Sequence, residues 1–354
     1  MNFNKKKRNY LIPSISIFCV LYIFLSTRPC GSEIHFSPEW TKDVHHTSGT
    51  PKDAELIPYK LNKRIGYFTE DGNIFSSISY PFKSAISDKW YCIYSRNNSK
   101  ADFYFADGTK AGTISESGFP FFDGDRIYLM QPGGTAFLKL DDKGEKQWGF
   151  ENYSPITVFA STEKGTVAGY ADGSIYAFDE KGSVTQKFNP GGSDIEVILG
   201  TGISEDGNRI ACVSGQNRQR FIVAEKNAGH SRIIFHEYLE NQINRQTMVR
   251  FSKNGDVVYY DYKGGLGIVN LKNSSTRKIP LDGKICQIEF SDDDELVFVL
   301  SKYNETFTVT VLERYFYQMA KFDFKGESSF IQTRGDSLFI GRDSKISRIS
   351  ISRK

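Results

Sequence analysis

The sequence predicts an all-β protein, and three observations support this fold class. Aromatic residues make up 14% of the chain, with 28 Phe and 19 Tyr, and such residues are enriched in strands. Apolar runs of four to eight residues are separated by turns such as Asp71-Gly72 and Asn254-Gly255, whose glycines accept positive φ. No long segment repeats with the helical period. Residues 235–251 are the best helical candidate, and they fit a strand followed by a loop equally well.

The N-terminal segment predicts a membrane signal. Four basic residues, 5–8, precede seventeen uncharged residues, 10–26, a pattern shared by signal peptides and signal anchors. Residues 1–9 are therefore predicted to be cytoplasmic and 10–26 to form a transmembrane signal anchor, with the remainder on the extracytoplasmic, periplasmic side. Arg28 and Pro29 break the small-residue pattern of a cleavage site, which favours an uncleaved anchor. A lipoprotein cut before Cys30 and a secreted soluble protein are the two alternatives.

Residues 27–63 are polar and irregular, and Pro38, Pro51 and Pro58 interrupt them. This composition predicts a stalk or linker. The pair His45-His46 has no Cys or second His pair at ligand spacing, so it is interpreted as solvated and not as a metal site.

From residue 64 to 354 a pattern of apolar run, turn and apolar run repeats. Its units cover about 86–113, 120–148, 156–188, 197–235, 247–279 and 285–322, and a shorter remainder covers 329–351. A β-propeller accommodates this remainder, because an N-terminal strand often completes the last blade, and 64–80 is the segment available. The prediction is a propeller of seven blades, with six and eight as alternatives.

Two segments carry a family resemblance. The sequences AFLKLDDKGEKQW, residues 136–148, and YAFDEKGSVTQKF, residues 176–188, resemble the blade motif of quinoprotein-like propellers. Trp148 matches the aromatic residue that closes that motif, and Phe188 or its neighbour takes this place in the second segment. Residues 202–214 and 249–260 look instead like the strand openings of WD-repeat-like propellers. Among quinoprotein-like proteins, the resemblance extends to envelope-assembly lipoproteins that act as scaffolds for outer-membrane protein insertion.

No catalytic, cofactor or metal site is predicted. The resemblance would imply pyrroloquinoline quinone only with the adjacent cysteine pair of the quinoprotein dehydrogenases, which this chain lacks. Cys92, Cys212 and Cys286 fall in three different units and are expected to be small buried residues without disulfides. The consecutive acids in residues 290–296 predict a hairpin turn, since a calcium loop needs alternating ligands. His230 and His236 stand in no nucleophile motif.

Charge argues against nucleic acid as a partner. The net charge is +3, residues 5–8 contribute +4, and the rest of the chain is therefore close to neutral. The predicted function is a non-enzymatic scaffold for a protein partner, and the aromatic-rich segment 312–324 is a candidate surface. The alternative is a sensor or enzyme that binds a small ligand in the axial funnel. A cluster of His, Arg and carboxylate side chains at one axial mouth would contradict a role as scaffold alone.

Overall fold

The computed structural model describes residues 11–26, 34–48, 54–95, 99–227, 230–240, 242–313 and 316–353. These residues form one helix, α1 (Leu11–Ser26), and eight antiparallel sheets. Successive sheets contact each other through their first strands and close into a ring, so the fold is an eight-bladed β-propeller. The all-β prediction is confirmed, whereas the prediction of seven blades is wrong.

Blade one has three strands, β2 (Ile57–Leu61), β3 (Arg64–Phe68) and β4 (Ile74–Ser79). Blades two, three and four follow with four strands each: β5 (Lys83–Ile86), β6 (Trp90–Tyr94), β7 (Ala101–Phe105), β8 (Lys110–Ile114); β9 (Phe119–Asp123), β10 (Arg126–Met130), β11 (Ala136–Leu140), β12 (Lys146–Glu151); β13 (Ile156–Ser161), β14 (Thr166–Tyr170), β15 (Ile175–Phe178), β16 (Val184–Phe188).

Blades five, six and seven also have four strands each: β17 (Ile198–Ile203), β18 (Arg209–Ser214), β19 (Arg220–Asn227), β20 (His230–Tyr238); β21 (Val249–Phe251), β22 (Val257–Tyr262), β23 (Gly265–Asn270), β24 (Ser275–Pro280); β25 (Lys284–Phe290), β26 (Leu296–Tyr303), β27 (Thr306–Glu313), β28 (Tyr317–Lys325). Residues 235–251, the helical candidate, are therefore the end of β20, a connecting segment and the beginning of β21.

Blade eight contains β29 (Ser329–Arg334), β30 (Ser337–Arg342), β31 (Lys345–Arg353) and, on its outside, β1 (Ile34–Asp43). β1 pairs antiparallel with β31, from Ile34 opposite Arg353 to Asp43 opposite Lys345. An N-terminal strand thus closes the ring, as predicted, but this strand is β1 and not the segment 64–80.

Two boundaries of the predicted organisation change as a result. Residues 34–43 and 57–61, which the sequence placed in a stalk over 27–63, are strands of blades eight and one. The physical reason is that both strands bury apolar side chains against partners distant in sequence. Trp40 lies 6.0 Å from Phe339 between ring centroids, and Ile57 and Leu61 are each only 1% exposed.

Blade one runs in the opposite direction to its neighbours. Arg334, at the end of β29, lies 3.4 Å from Glu55, just before β2, and 2.7 Å from Asp88, just after β5. At the other end of the blade, Lys60 Nζ donates to the carbonyl of Ser84, near the beginning of β5. The start of β2 therefore meets the ends of β29 and β5. A blade of three strands begins and finishes at opposite ends. Because blade one is reversed, its third strand β4 finishes at the end of the propeller where β5 begins.

Two tryptophans dock their blades onto the next blade by the same contact. Trp148 on β12 donates from Nε1 to the carbonyl of Glu180, and Trp40 on β1 donates likewise to Glu70. Each indole also covers the glycine two residues after its acceptor: Trp148 covers Gly182, and Trp40 covers Gly72. A Cβ built at these positions would lie 2.6 and 2.9 Å from the indole. The closing aromatic predicted at Trp148 is thus an inter-blade contact.

The helix α1 is 16 residues long and exposes side chains such as Phe18 and Tyr22. No helix in the described part of the chain combines the length and apolarity needed to cross a membrane. The transmembrane anchor predicted over 10–26 is therefore not confirmed. The basic residues 5–8 and Cys30 lie outside the described residues.

Candidate functional site

One mouth of the axial channel forms a polar cavity of about 230 Å³. The inner strands β13, β17, β21, β25 and β29 end here and turn outward, so side chains near their last residues converge on the axis. Because these strands alternate inward and outward residues, a charged residue between two buried apolar ones points into the channel. The charged lining residues are Glu205, Arg250, Lys253, Glu289, Asp292 and Arg334.

Arg334 is held on the wall of this mouth by carboxylates from two other blades. Its Nη2 donates to Asp88 Oδ1 at 2.7 Å, and its Nε lies 3.4 Å from Glu55 Oε1. A guanidinium with two carboxylate partners has little capacity left for a ligand. Its role in the described structure is to tie blade eight to blades one and two.

Glu289 is half-buried and is held by Gln287, whose Nε2 donates to Glu289 Oε1 at 3.0 Å. Gln287 is fixed in turn by two bonds to the backbone of Ile331 in blade eight. Burial raises the pKa of the Glu289 carboxyl above its ordinary value, although the charge of Arg250 and the bond from Gln287 act in the opposite direction. A carboxyl group in this setting can donate a hydrogen bond when it is protonated.

Arg250, in the neighbouring blade six, is exposed in the cavity. Among the described residues it has no hydrogen bond or ion pair, and its charge acts on Glu289 from a distance. The mouth thus presents a guanidinium free to take a partner next to a carboxyl group of raised pKa. This pair could hold a small ligand that carries an anionic group.

A second charged pair belongs to the segment before β21 and to the end of β22. Arg245 Nη1 donates to Asp261 Oδ2 at 2.5 Å, and Asp261 is only 1% exposed. Burial raises the pKa of Asp261, and the adjacent Arg245 opposes this effect. The next residue, Gln246, donates to the carbonyl of Thr157 in blade four. This arrangement fixes the segment between blades five and six, and a structural role accounts for it.

The aromatic-rich segment 312–324 has two faces. Ala320, Phe322 and Phe324 on β28 pack between blades seven and eight, whereas Tyr317 and Met319 are 57% and 41% exposed. Phe316 stacks near Tyr317, with 4.5 Å between ring centroids. The guanidinium of Arg277, from blade six, lies over the Phe316 ring at 5.0 Å. We call Arg277, Phe316, Tyr317 and Met319 the blade-seven patch.

The other residues considered in the sequence do not come together in one site. His45 bonds Asp43 at 2.7 Å, and His230 and His236 lie on the outer strand β20. Residues 290–296 contain the turn between β25 and β26, at 291–295, and no group of metal-ligating side chains is found in the described part of the chain. Cys92 and Cys212 are buried and Cys286 is half-buried, all three as free thiols.

The residues of the axial mouth were missed in the sequence, although a signal for them exists. Arg250 stands between Val249 and Phe251, and Glu289 stands between Ile288 and Phe290. A charge between two buried apolar residues at the end of a blade's first strand marks a channel-facing position. This signal requires the inner strand of each blade to be identified first.

Comparisons with known proteins identify the architecture. The family described as beta-propeller protein matches residues 1–354. An uncharacterized protein of Treponema pallidum (strain Nichols) is 26% identical over 359 residues, which cover 98% of this chain and 95% of that protein.

Solved structures similar to this chain include BamB from Moraxella catarrhalis, with a TM-score of 0.61 and 13% identity, covering 89% of this chain and 98% of that one. The computationally designed Ika8 protein gives a TM-score of 0.58 at 12% identity, covering 88% and 100%. The Dos1 propeller gives 0.57 at 12% identity, covering 89% and 95%. At these identities the likeness shows the fold alone.

Proposed function

The chain belongs to the β-propeller protein family, and on this premise we propose that it is a non-catalytic scaffold that binds another protein. The observation that carries this proposal is the blade-seven patch. Tyr, Arg and Met are the residue types enriched in the centres of protein interfaces. In the patch, Tyr317 and Met319 are exposed on the outer strand next to the Arg277–Phe316 pair. Such a group on the outer face of a blade is accessible to a partner as large as a protein domain.

A second candidate function rests on the axial mouth. Arg250, which has no hydrogen bond or ion pair among the described residues, and the raised pKa of Glu289 are features expected of a small-ligand site. An Arg and carboxylate side chains thus lie together at one axial mouth. This is the kind of cluster that counts against a role as scaffold alone. The cavity of about 230 Å³ lies below the usual volume of a drug-sized ligand site, which limits the ligand to a small anion or a side chain.

We also propose that the propeller works on the extracytoplasmic side, in assembly of the cell envelope. The support is the basic segment 5–8 before an apolar stretch and the likeness in fold to BamB. A fusion of alkaline phosphatase after residue 353 tests the location, because this enzyme is active only outside the cytoplasm. An inactive but intact fusion would contradict it.

Site-specific photo-crosslinking in the native cell tests the scaffold. A photoactivatable residue at position 317 or 319 should capture one discrete protein, identified by mass spectrometry. The same residue at Tyr153, a fully exposed site in the connection between blades three and four, is the matched control. Arg277→Glu should reduce the capture at position 317. Equal capture of the same proteins from all three positions, or no capture at 317 and 319, would refute the proposal.

A further inference from the structure

In the described part of the chain, blade one has no fourth strand, whereas each of the other seven blades has one. Its outermost strand is β4, which occupies the position of a third strand. Residues 75–78 of β4 are half-buried, like most of β31, and Ser79 is exposed, whereas the third strands β11, β15 and β23 are mostly buried. A sheet that ends one strand early presents unpaired backbone N–H and C=O groups along its edge.

The composition of β4 sets it apart from the other outer strands. β4 reads Ile-Phe-Ser-Ser-Ile-Ser and contains no charged residue and no proline. Every other outer strand carries a charge, for example Glu39, Lys110, Lys146, Lys187, Arg232, Arg277 and Lys321. Charged and proline residues are the usual means by which proteins prevent strand addition at an edge. β4 itself has neither, and the charged group that reaches it is Arg64 of β3, whose Nη1 donates to Ser77 Oγ at 3.0 Å and to the Ser77 carbonyl at 3.4 Å.

A groove lies beside this edge where a fourth strand would cover blade two. Its volume is about 760 Å³. Ile78 from β4 and Ile93, Tyr91 and Tyr104 from blade two form apolar wall, and the two tyrosine rings stack at 5.5 Å. A strand of five or six residues that paired with β4 would lay alternate side chains against this wall.

The rim of the groove indicates the charge of the occupant. Lys100 and Lys110 are exposed on it, and Asp102 is the acidic lining residue, 2.8 Å from Lys110. The excess of one positive charge favours an acidic segment. Among the described residues, the one backbone contact to β4 from outside its sheet is Ser48 N to the carbonyl of Ile74, at the beginning of the strand.

We propose that blade one is completed by an extended, acidic segment of a partner protein, which adds to β4 as a fourth strand. This inference rests on the proposed scaffold function and names the kind of partner and a second surface for it. The occupant pairs by its backbone with residues 75–79, packs apolar side chains on Ile78 and Tyr104, and places acidic side chains toward Lys100. An edge pairing of this kind is selective for extended chains.

The test uses the eight-residue peptide Glu-Glu-Ser-Val-Ser-Val-Glu-Glu, in which the Val residues and one Glu at each end share a face, with two reference peptides. One reference replaces Glu by Lys, and the other carries a central Pro that removes a backbone donor. Binding to the full chain is measured by fluorescence anisotropy, and hydrogen exchange measures protection of the amides of Ser77 and Ser79, which point away from β3. The acidic peptide should bind at least about tenfold more tightly than either reference, a difference of about 1.4 kcal/mol, and should protect those amides.

Two variants of the chain locate the binding. Ser79→Glu places a repelling charge on the β4 edge and should weaken the acidic peptide about tenfold. Ser275→Glu, at an exposed serine on the outer strand of the four-stranded blade six, is the matched control and should leave binding unchanged. Thermal melting of both variants establishes that each remains folded.

Three results would overturn the inference. Absence of peptide binding is the first. Protection of the amides of Ser77 and Ser79, which point away from β3, in the free monomer is the second, because it would show that the chain covers its own edge. The third is a molecular mass that doubles as the protein concentration rises, in the unsubstituted chain but not in Ser79→Glu. This result would identify a second copy of the chain as the occupant. None of these results affects crosslinking from position 317, so the scaffold proposal is judged separately.

Discussion

At the scale of single residues, the pair Asp261 and Arg245 couples stability to pH. The pKa of Asp261 is raised by burial, so the folded state retains this proton to higher pH than the unfolded state does. Protonated Asp261 therefore contributes stability in full below about pH 4, the pKa of Asp in an unfolded chain. This contribution is lost as the pH rises above that value. Arg245 limits this loss by pairing with the carboxylate at 2.5 Å.

Arg245→Ala should therefore lower the free energy of unfolding by about 3 kcal/mol at pH 7, because it leaves a buried carboxylate without its partner. The loss should be smaller at pH 4.5, where Asp261 takes up a proton. Urea denaturation at the two pH values measures both quantities. In an Asp261→Asn background the same substitution should cost less than about 1 kcal/mol. An equal loss in both backgrounds would show that Arg245 acts without Asp261.

Burial also raises the pKa of the thiols of Cys92 and Cys212, each to about 12. Since the thiolate is the reactive form, both should resist a thiol reagent at pH 8 in the folded protein and react after unfolding. Mass spectrometry of the labelled chain, with and without urea, measures this at each site. Rapid labelling of either cysteine in the native protein would show that its blade opens.

At the scale of the elements, the tryptophan contacts between blades can be separated from backbone strain. Gly182 and Gly108 both have positive φ, +85° and +86°. A Cβ at Gly182 would lie 2.6 Å from Trp148, whereas a Cβ at Gly108 meets no atom within 4 Å. Gly108→Ala thus adds strain alone, and Gly182→Ala adds strain and a clash with the docked indole.

Gly108→Ala should destabilise by about 1–2 kcal/mol, the cost of a left-handed alanine. Gly182→Ala should cost about 1–3 kcal/mol more, because the indole must move. Denaturation followed by tryptophan fluorescence measures both and also reports the environment of Trp148. Equal losses from the two substitutions would mean that the indole contributes nothing to the contact between blades three and four.

Strands and hairpins could be predicted from the sequence where neighbouring residues determine them. Turns such as Asp71-Gly72 and Lys181-Gly182 fix hairpins through a few neighbouring residues, and six predicted units lie within a few residues of blades two to seven. Blade one was missed because it is one strand short and interrupted by Pro58. β1 was missed because its partner β31 is about 300 residues away, and a pairing at that distance leaves no local pattern. The axial Arg250 and Glu289 become a site only when five blades are placed around one axis.

At the scale of the whole molecule, closure of the ring depends on β1. Ile34 and Phe36 pack with Phe322 of blade seven and with Ile349 and Ile351 of blade eight. Deletion of residues 34–43 removes these contacts and exposes the edge of β31, which has alternating Ile residues. An exposed apolar edge promotes association between chains.

A chain without residues 34–43 should therefore melt at a lower temperature and form oligomers. Calorimetry and light scattering measure the two effects. A synthetic peptide of residues 34–43, supplied in excess, should restore the monomer, whereas a peptide of the same composition in scrambled order should not. A deletion variant that stays monomeric with unchanged melting would show that the ring is closed by the other contacts between blades one and eight.

Closure by β1 also sets a waiting time during synthesis. β1 emerges from the ribosome early, and its partner β31 follows about 300 residues later. At about 5–20 residues per second, β1 remains without its partner for roughly 15–60 s. Pro38, Glu39 and Lys42 interrupt its apolar pattern, and such residues hinder pairing with the wrong strand. We therefore expect Pro38, Glu39 and Lys42 to hinder wrong pairing of β1 during the interval before β31 is made.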